Sequence, residues 1–255
     1  MKLRYLFATF ALTTSSSFGA VILGSDFASD AAYDGPAFWT TGDDGGTAGT
    51  FGAWTLTNGG ASSGRFIGDS TSLGSPGANI NTVGESFGMF AHTGQTSDAF
   101  RNFNGNTLSV GQTFSLNLAV NFRNGNKGFD LRNSSNAVIF NFNIGGDTYV
   151  VNNATTGNGT IGNTYSANSA FALSFTQTTG TGGTWSITRS GGVSDLDSGT
   201  YTGVPENFKF YNSQTTGGGA AQDNLFFNSL SVVPEPSAAL LGGLGALMLL
   251  RRRRN

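Results

Sequence analysis

The sequence predicts an all-β protein, with two antiparallel sheets packed face to face as a β-sandwich or jelly roll. Three observations lead there. Short runs alternate apolar and polar residues and recur about every 10 to 20 residues. Phenylalanine occurs 22 times and cysteine not at all, so the core rests on aromatic burial and not on disulfides. Between the two terminal segments no long stretch repeats with a helical period. Glycine occurs 39 times, mostly between the runs, where Gly, Asn, Ser and Thr clusters make turns.

Residues 1–20 stand apart from this pattern. Lys2 and Arg4 precede apolar Leu6–Leu12, and small residues follow. That order is a secretory signal peptide, with Ser17 and Gly19 meeting the small-residue rule for cleavage after Gly19. The body, residues 21–232, is long enough for one sandwich domain. Without the termini it keeps seven basic and fourteen acidic residues. It has no basic stripe to neutralise phosphates, so no nucleic-acid partner is expected.

Within the body, Phe51–Thr57 carries Phe51 and Trp54. Glu85–Ala91 carries Phe87, Met89 and Ala91, with Phe90 opposite. Thr113–Phe122 is the clearest strand: Phe114, Leu116, Leu118, Val120 and Phe122 share one face and should point between the sheets. Asn124-Gly125-Asn126 should turn the chain into Phe129 and Leu131, and Asn133–Asn136 into Val138, Phe140, Phe142 and Ile144. With a strand at Thr148–Val151 this reads as an antiparallel meander. Phe171, Leu173 and Phe175 alternate, as do Trp185 with Ile187 and Phe208 with Phe210. The closing strand Asp223–Val232 places Phe226, Leu230 and Val232 on one parity and Leu225 and Phe227 on the other.

Residues 233–255 form the second processing segment. Pro234, Glu235 and Pro236 disfavour helix and hold an extended backbone. Ala238–Leu250 is uncharged and apolar all round, and is read as a short transmembrane helix over 238–250. It covers about 20 Å of a hydrocarbon core about 30 Å thick, a gap that snorkelling and local thinning narrow. Arg251, Arg252, Arg253 and Arg254 then hold the C-terminus on the cytoplasmic side.

That order of motif, apolar run and arginine block resembles the PEP-CTERM sorting signal of Gram-negative bacteria. The resemblance covers about a tenth of the chain. It implies export, passage through an inner-membrane intermediate, cleavage near Pro234-Glu235-Pro236 by an exosortase-type enzyme, and a final place at the cell surface or in an exopolysaccharide matrix. In the body, Phe114–Phe122, Gly128-Phe129-Asp130-Leu131 and Asp223-Asn224-Leu225-Phe226-Phe227 resemble concanavalin-like (laminin-G or legume-lectin-type) jelly rolls. By analogy alone this implies a sugar-facing surface.

Catalytic motifs do not hold together. Gly84-Glu85-Ser86-Phe87-Gly88 matches a nucleophile elbow, but it lies in a strand pattern. The single histidine, His92, lies six residues on with no intervening acid to orient it, and reads as a surface or rim residue. Gly157-Asn-Gly159-Thr-Ile-Gly162 matches a dinucleotide fingerprint with no helix behind it, and reads as a loop. The body has two glutamates, Glu85 and Glu206, in no glycosidase cluster. Asp43-Asp44-Gly45 and Asp195-Leu-Asp197-Ser-Gly199 read as acidic turns, with structural calcium as an alternative whose ligands the spacing does not name. No other cofactor is expected. Trp39, Trp54, Trp185, Tyr33, Tyr149, Tyr201 and Tyr211 are candidates to stack on sugars, against the plainer reading of core.

The expected function is thus non-catalytic: a structural or adhesive component of the envelope or exopolysaccharide matrix. The alternative is a carbohydrate-binding, lectin-like module with polysaccharide as partner. A glycan-active enzyme with an unrecognised Asp pair stands third.

Overall fold

A computed structural model describes residues 22–234, except 35–37, 48, 106, 147, 154–156, 162–163 and 216–221. The expected signal peptide over residues 1–20, the expected helix over 238–250 and Arg251–Arg254 lie outside the described residues. Fifteen strands occur among those described. In chain order they are β1 (Gly24–Asp26), β2 (Thr55–Asn58), β3 (Ser63–Gly68), β4 (Ser86–Ala91), β5 (Thr96–Asn102), β6 (Gln112–Val120), β7 (Asn126–Arg132) and β8 (Val138–Asn143). The rest are β9 (Val150–Asn153), β10 (Gly157–Thr160), β11 (Ala170–Thr179), β12 (Gly182–Ser190), β13 (Asp195–Thr202), β14 (Asn207–Ser213) and β15 (Leu225–Pro234).

They form two antiparallel sheets, as the period-two pattern predicts. One runs β13-β12-β11-β6-β15-β4-β3, with β1 also paired to β15; the other runs β10-β9-β8-β7-β14-β5-β2. Between them lies one aromatic core. Phe210 of β14 stacks on Phe227 of β15 at 3.7 Å between ring centroids, and Phe114 of β6 on Phe208 of β14 at 4.9 Å. These contacts join the sheets through large buried faces.

Four of the five alternating residues of β6, Phe114, Leu116, Leu118 and Val120, are fully buried. Phe122 is the exception. It lies beyond the end of β6 and is partly exposed. The expected meander from Thr113 to Val151 is corrected here. β6 belongs to the eight-stranded sheet, whereas β7, β8 and β9 are neighbours in the seven-stranded one. The link through Asn124-Gly125 therefore crosses between sheets. Alternation states which side chains face the core, but a core-facing strand looks the same from either sheet.

β15 corrects a second expectation. Phe226 shares sequence parity with Leu230 and Val232, yet it packs on the outer side with Ala78, Ile80, Ala119 and Ala170. Leu225, Phe227, Leu230 and Val232 all belong to the main core. A β-bulge between Asn228 and Ser231, with Ser229 at φ 57, reverses the phase. The Asn228 side chain fixes it by donating to the Ile80 and Glu85 carbonyls, at 3.1 and 2.8 Å. Two predicted loops are strands. Asp195–Gly199 opens the edge strand β13, and Gly157–Thr160 is the edge strand β10.

Candidate functional site

The outer face of the seven-stranded sheet carries the most concentrated polar chemistry on a regular element. On β7, β8 and β14 the core takes Phe129, Leu131, Phe140, Phe142, Phe208 and Phe210. The alternate residues therefore point outward. Cross-strand register aligns them in two rows. One runs Thr55, Phe100, Lys209, Asp130, Asn141 and Asn152. The other runs Thr57, Asp98, Tyr211, Gly128, Asn143 and Val150.

Tyr211 is the centre of this face. Its hydroxyl accepts a hydrogen bond from Asn141 Nδ2 at 2.8 Å. Gly128 on the neighbouring strand makes room for the ring: a Cβ there would lie 2.0 Å from the Phe142 carbonyl oxygen and 2.6 Å from the Tyr211 hydroxyl. Burial pushes the Tyr211 phenol up from its ordinary range, so it remains a neutral donor and acceptor. Lys209 Nζ lies 5.6 Å from the ring centroid and 3.4 Å from Asp98 Oδ1.

Amides and carboxylates continue the network. Asn152 Nδ2 donates to Asn141 Oδ1 at 2.8 Å, and Asn141 Nδ2 to Asp130 Oδ1 at 2.7 Å. Arg132 Nη2 donates to Asp130 Oδ2 at 2.6 Å. Each side chain is oriented by its neighbour, on strands whose backbones are fixed by ladder bonds. Asp130 is itself buried, its oxygens taken by Asn141 and Arg132, so the face leaves half-buried Asp98, Lys209, Asn141, Asn152 and Tyr211 to solvent in fixed register. It can recognise a flat, hydroxyl-rich ligand without reorganising.

Tyr211 alone of the seven aromatics named from sequence reaches this surface. Trp39, Trp54, Trp185, Tyr33, Tyr149 and Tyr201 are buried in the core. Pro234 ends β15, paired with Gln112, while Glu235, Pro236 and Arg251–Arg254 fall outside the described residues. Ser86 is buried in β4, and its hydroxyl donates to the Gly68 carbonyl at 2.9 Å. His92 does have an acid. Asp223, 131 residues away in sequence, lies 2.9 Å from its Nδ1 and is fully buried. At about 3.3 Å of rise per residue, Ser86 and His92 sit about 20 Å apart along one strand, so no triad forms.

Asp43 and Asp44 are occupied by the protein itself, whereas Asp195 and Asp197 on the edge strand β13 each accept from the next backbone amide. Asp43 accepts from the Thr40 amide at 2.6 Å, and Asp44 pairs with buried Arg101, which also pairs with buried Asp26. Among the described residues no group of three or more His, Asp or Glu is placed to hold a metal ion, and no helix is long and apolar enough to cross a membrane.

Sequence reasoning named Tyr211 but missed Asp98, Asp130, Asn141, Asn152 and Lys209. A signal existed in β8, where Asn141 and Asn143 alternate with Phe140 and Phe142. Asparagine is a poor strand former, so its place in an inner strand asks for another reason.

No known family model and no curated protein matches the chain. Solved structures are distantly similar. The galectin LEC-6 of Caenorhabditis elegans aligns at TM-score 0.34 and 18% identity, over 50% of this chain and 85% of its own. A tetrameric galectin from the ball sponge Cinachyrella aligns at 0.34 and 13%, over 50% and 94%. The ligand-binding domain of botulinum neurotoxin serotype D, solved with N-acetylneuraminic acid, aligns at 0.42 and 10%, over 85% of this chain and 47% of its own. The chain thus spans about half the length of that toxin domain.

Proposed function

We propose that this chain is an exported, non-catalytic surface protein that binds polysaccharide through the outer face of its seven-stranded sheet. Its role is structural or adhesive, in the envelope or the exopolysaccharide matrix. The observation that carries the binding is the Asn152–Asn141–Asp130 chain beside Tyr211. Folding alone does not favour amides and carboxylates on inner strands. Sugar recognition uses such groups, planar hydrogen bonding beside an aromatic ring.

Delivery rests on the terminal segments. The 1–20 segment directs export. The 238–250 run with Arg251–Arg254 holds the chain in the inner membrane, and an exosortase-type enzyme cuts at Pro234-Glu235-Pro236. Mass spectrometry of the mature C-terminus from the native host tests this; a surface protein that keeps Arg254 overturns it. A glycan array probed with the purified chain tests the binding. Selective micromolar retention, lost in Asn141→Ala, is expected. Silence across neutral and acidic glycans defeats the sugar reading and leaves a structural role.

A further inference from the structure

The described chain begins and ends at one place. Leu23 N donates to the Val232 carbonyl at 2.8 Å, and Gly24 pairs with Val232. On the other side of β15, Gln112 at the start of β6 pairs with Pro234. Three strand ends therefore meet at one pole of the sandwich. The loop before β6 lies there too, because Leu23, Ser109, Gln112 and Val232 line one shallow pocket.

This pole exposes three large apolar side chains beside the neutral polar residues Thr50, Asn104, Thr107, Ser109 and Gln112 of the pocket. Ile22 is 58% exposed, Leu23 39% and Val110 59%. No charged residue occurs from Asn104 to Gln112 or from Thr178 to Gly182, the two turns beside it. Isolated exposed apolar residues are ordinary, but register brings Ile22 and Leu23, before β1, and Val110, before β6, to the same pole.

The chain outside the described residues says what covers it. Only Glu235, Pro236 and Ser237 separate Pro234 from the apolar run that starts at Ala238. Four backbone steps reach at most about 14 Å. Taken as the transmembrane helix proposed above, the run would cover about 20 Å of a core about 30 Å thick and so would draw the body inward. Resting on the sorting-signal reading above, we infer that the pole formed by Ile22, Leu23 and Val110 docks on the lipid surface of the membrane that holds 238–250. The docked pole holds Pro234 at the headgroup level, where the cut is made. The turns 104–112 and 178–182 add no acidic side chain to repel an anionic headgroup, and the apolar side chains of Ile22, Leu23 and Val110 enter the headgroup–acyl boundary.

The absence of cysteine makes the test direct. Single cysteines at Val110→Cys, Thr93→Cys and Ala246→Cys are labelled with an environment-sensitive fluorophore in the full chain. Thr93 is exposed and follows β4 at the opposite pole. The chain is reconstituted in phosphatidylethanolamine–phosphatidylglycerol vesicles carrying nitroxide lipids. Labels at 246 and 110 should shift to the blue and be quenched, that at 110 at least twofold more than that at 93. A label at 110 that reads as water while that at 246 reads as lipid overturns the docking and spares the sorting signal. Labels at 246 and 110 both in water overturn both. The circular dichroism of each labelled chain, matched to the unlabelled one, excludes loss of fold.

Discussion

The two outer faces of the sandwich obey one rule and carry different chemistry. On the eight-stranded sheet, Thr200, Thr184, Thr176 and Thr113 align in one row. Ser198, Ser186, Ser174, Ser115 and Ser231 align in the next. Thr113 and Thr176 hydroxyls lie 2.8 Å apart. These two rows hold no charge. The seven-stranded face carries Asp98, Lys209, Asp130, Arg132, Asn141, Asn152 and Tyr211. Threonine suits a strand, so the first face is explained by folding alone. The second carries residues that strands disfavour, and it is there that the proposal above puts binding. The difference teaches that polarity on an outward face is not itself a signal; what separates the faces is the type of polar group.

The largest expected effect removes what both faces share. Phe210→Ala deletes the ring that stacks on Phe227 across the sheets and should cost about 3–5 kcal/mol in denaturant unfolding. Glycan binding should fall with it. A cost below about 1 kcal/mol would mean that the sheets do not depend on this contact.

pH separates the interior from the charged face. Lys127 is fully buried at the end of β7, its Nζ donating to the carbonyls of Phe122 and Gln222 at 3.2 and 3.0 Å. Burial pushes its ammonium down to about 7, against the opposing pull of Asp223. The unfolded chain keeps that proton up to the ordinary lysine range, so between pH 7 and 9 it binds more protons than the folded one. Stability should therefore rise with pH there, by up to about 1.4 kcal/mol per unit. Above pH 10 the trend should reverse, because buried Tyr33 and Tyr201 hold their protons longer than they do in the unfolded chain. Lys127→Met should flatten the rise; an unchanged slope would assign it to the outer face instead.

Asn141→Ala sharpens the comparison directly. It removes the amide that joins Asn152, Asp130 and Tyr211, and glycan affinity should fall about tenfold, equal to about 1.4 kcal/mol. Titration calorimetry with the best array ligand reads this. Ser174→Ala on the opposite face should leave affinity unchanged and move stability by no more than about 0.5 kcal/mol. If Ser174→Ala weakened binding as much as Asn141→Ala, the sugar site would belong to the wrong face.

Much of this architecture is legible in the chain alone. The period of two set which residues of β6, β11 and β14, and of β8 from Phe140 onward, face the core, because alternate side chains must leave a pleated strand on opposite sides. At the start of β8 a register shift leaves Val138, expected with Phe140, exposed and buries Ile139 instead. The missing cysteines and abundant phenylalanine set the kind of core. Processing segments at the two ends are proposed from the order of charges and apolar runs alone, because such signals are linear.

Tertiary structure alone decided what depends on pairing between distant strands. It placed β6 and β7 in different sheets, reversed the phase of β15 at a bulge, and brought Asp223 to His92. It buried Arg101, Lys127 and Arg189, three of the seven basic residues of the body, where a charge is costly unless partners surround it. It assembled Asn152, Asn141, Asp130 and Tyr211 from four strands into one network. The physical reason is common to all of these. Alternation is a local property of one strand, whereas register and hydrogen-bond partners come from segments that meet only after the sheets close.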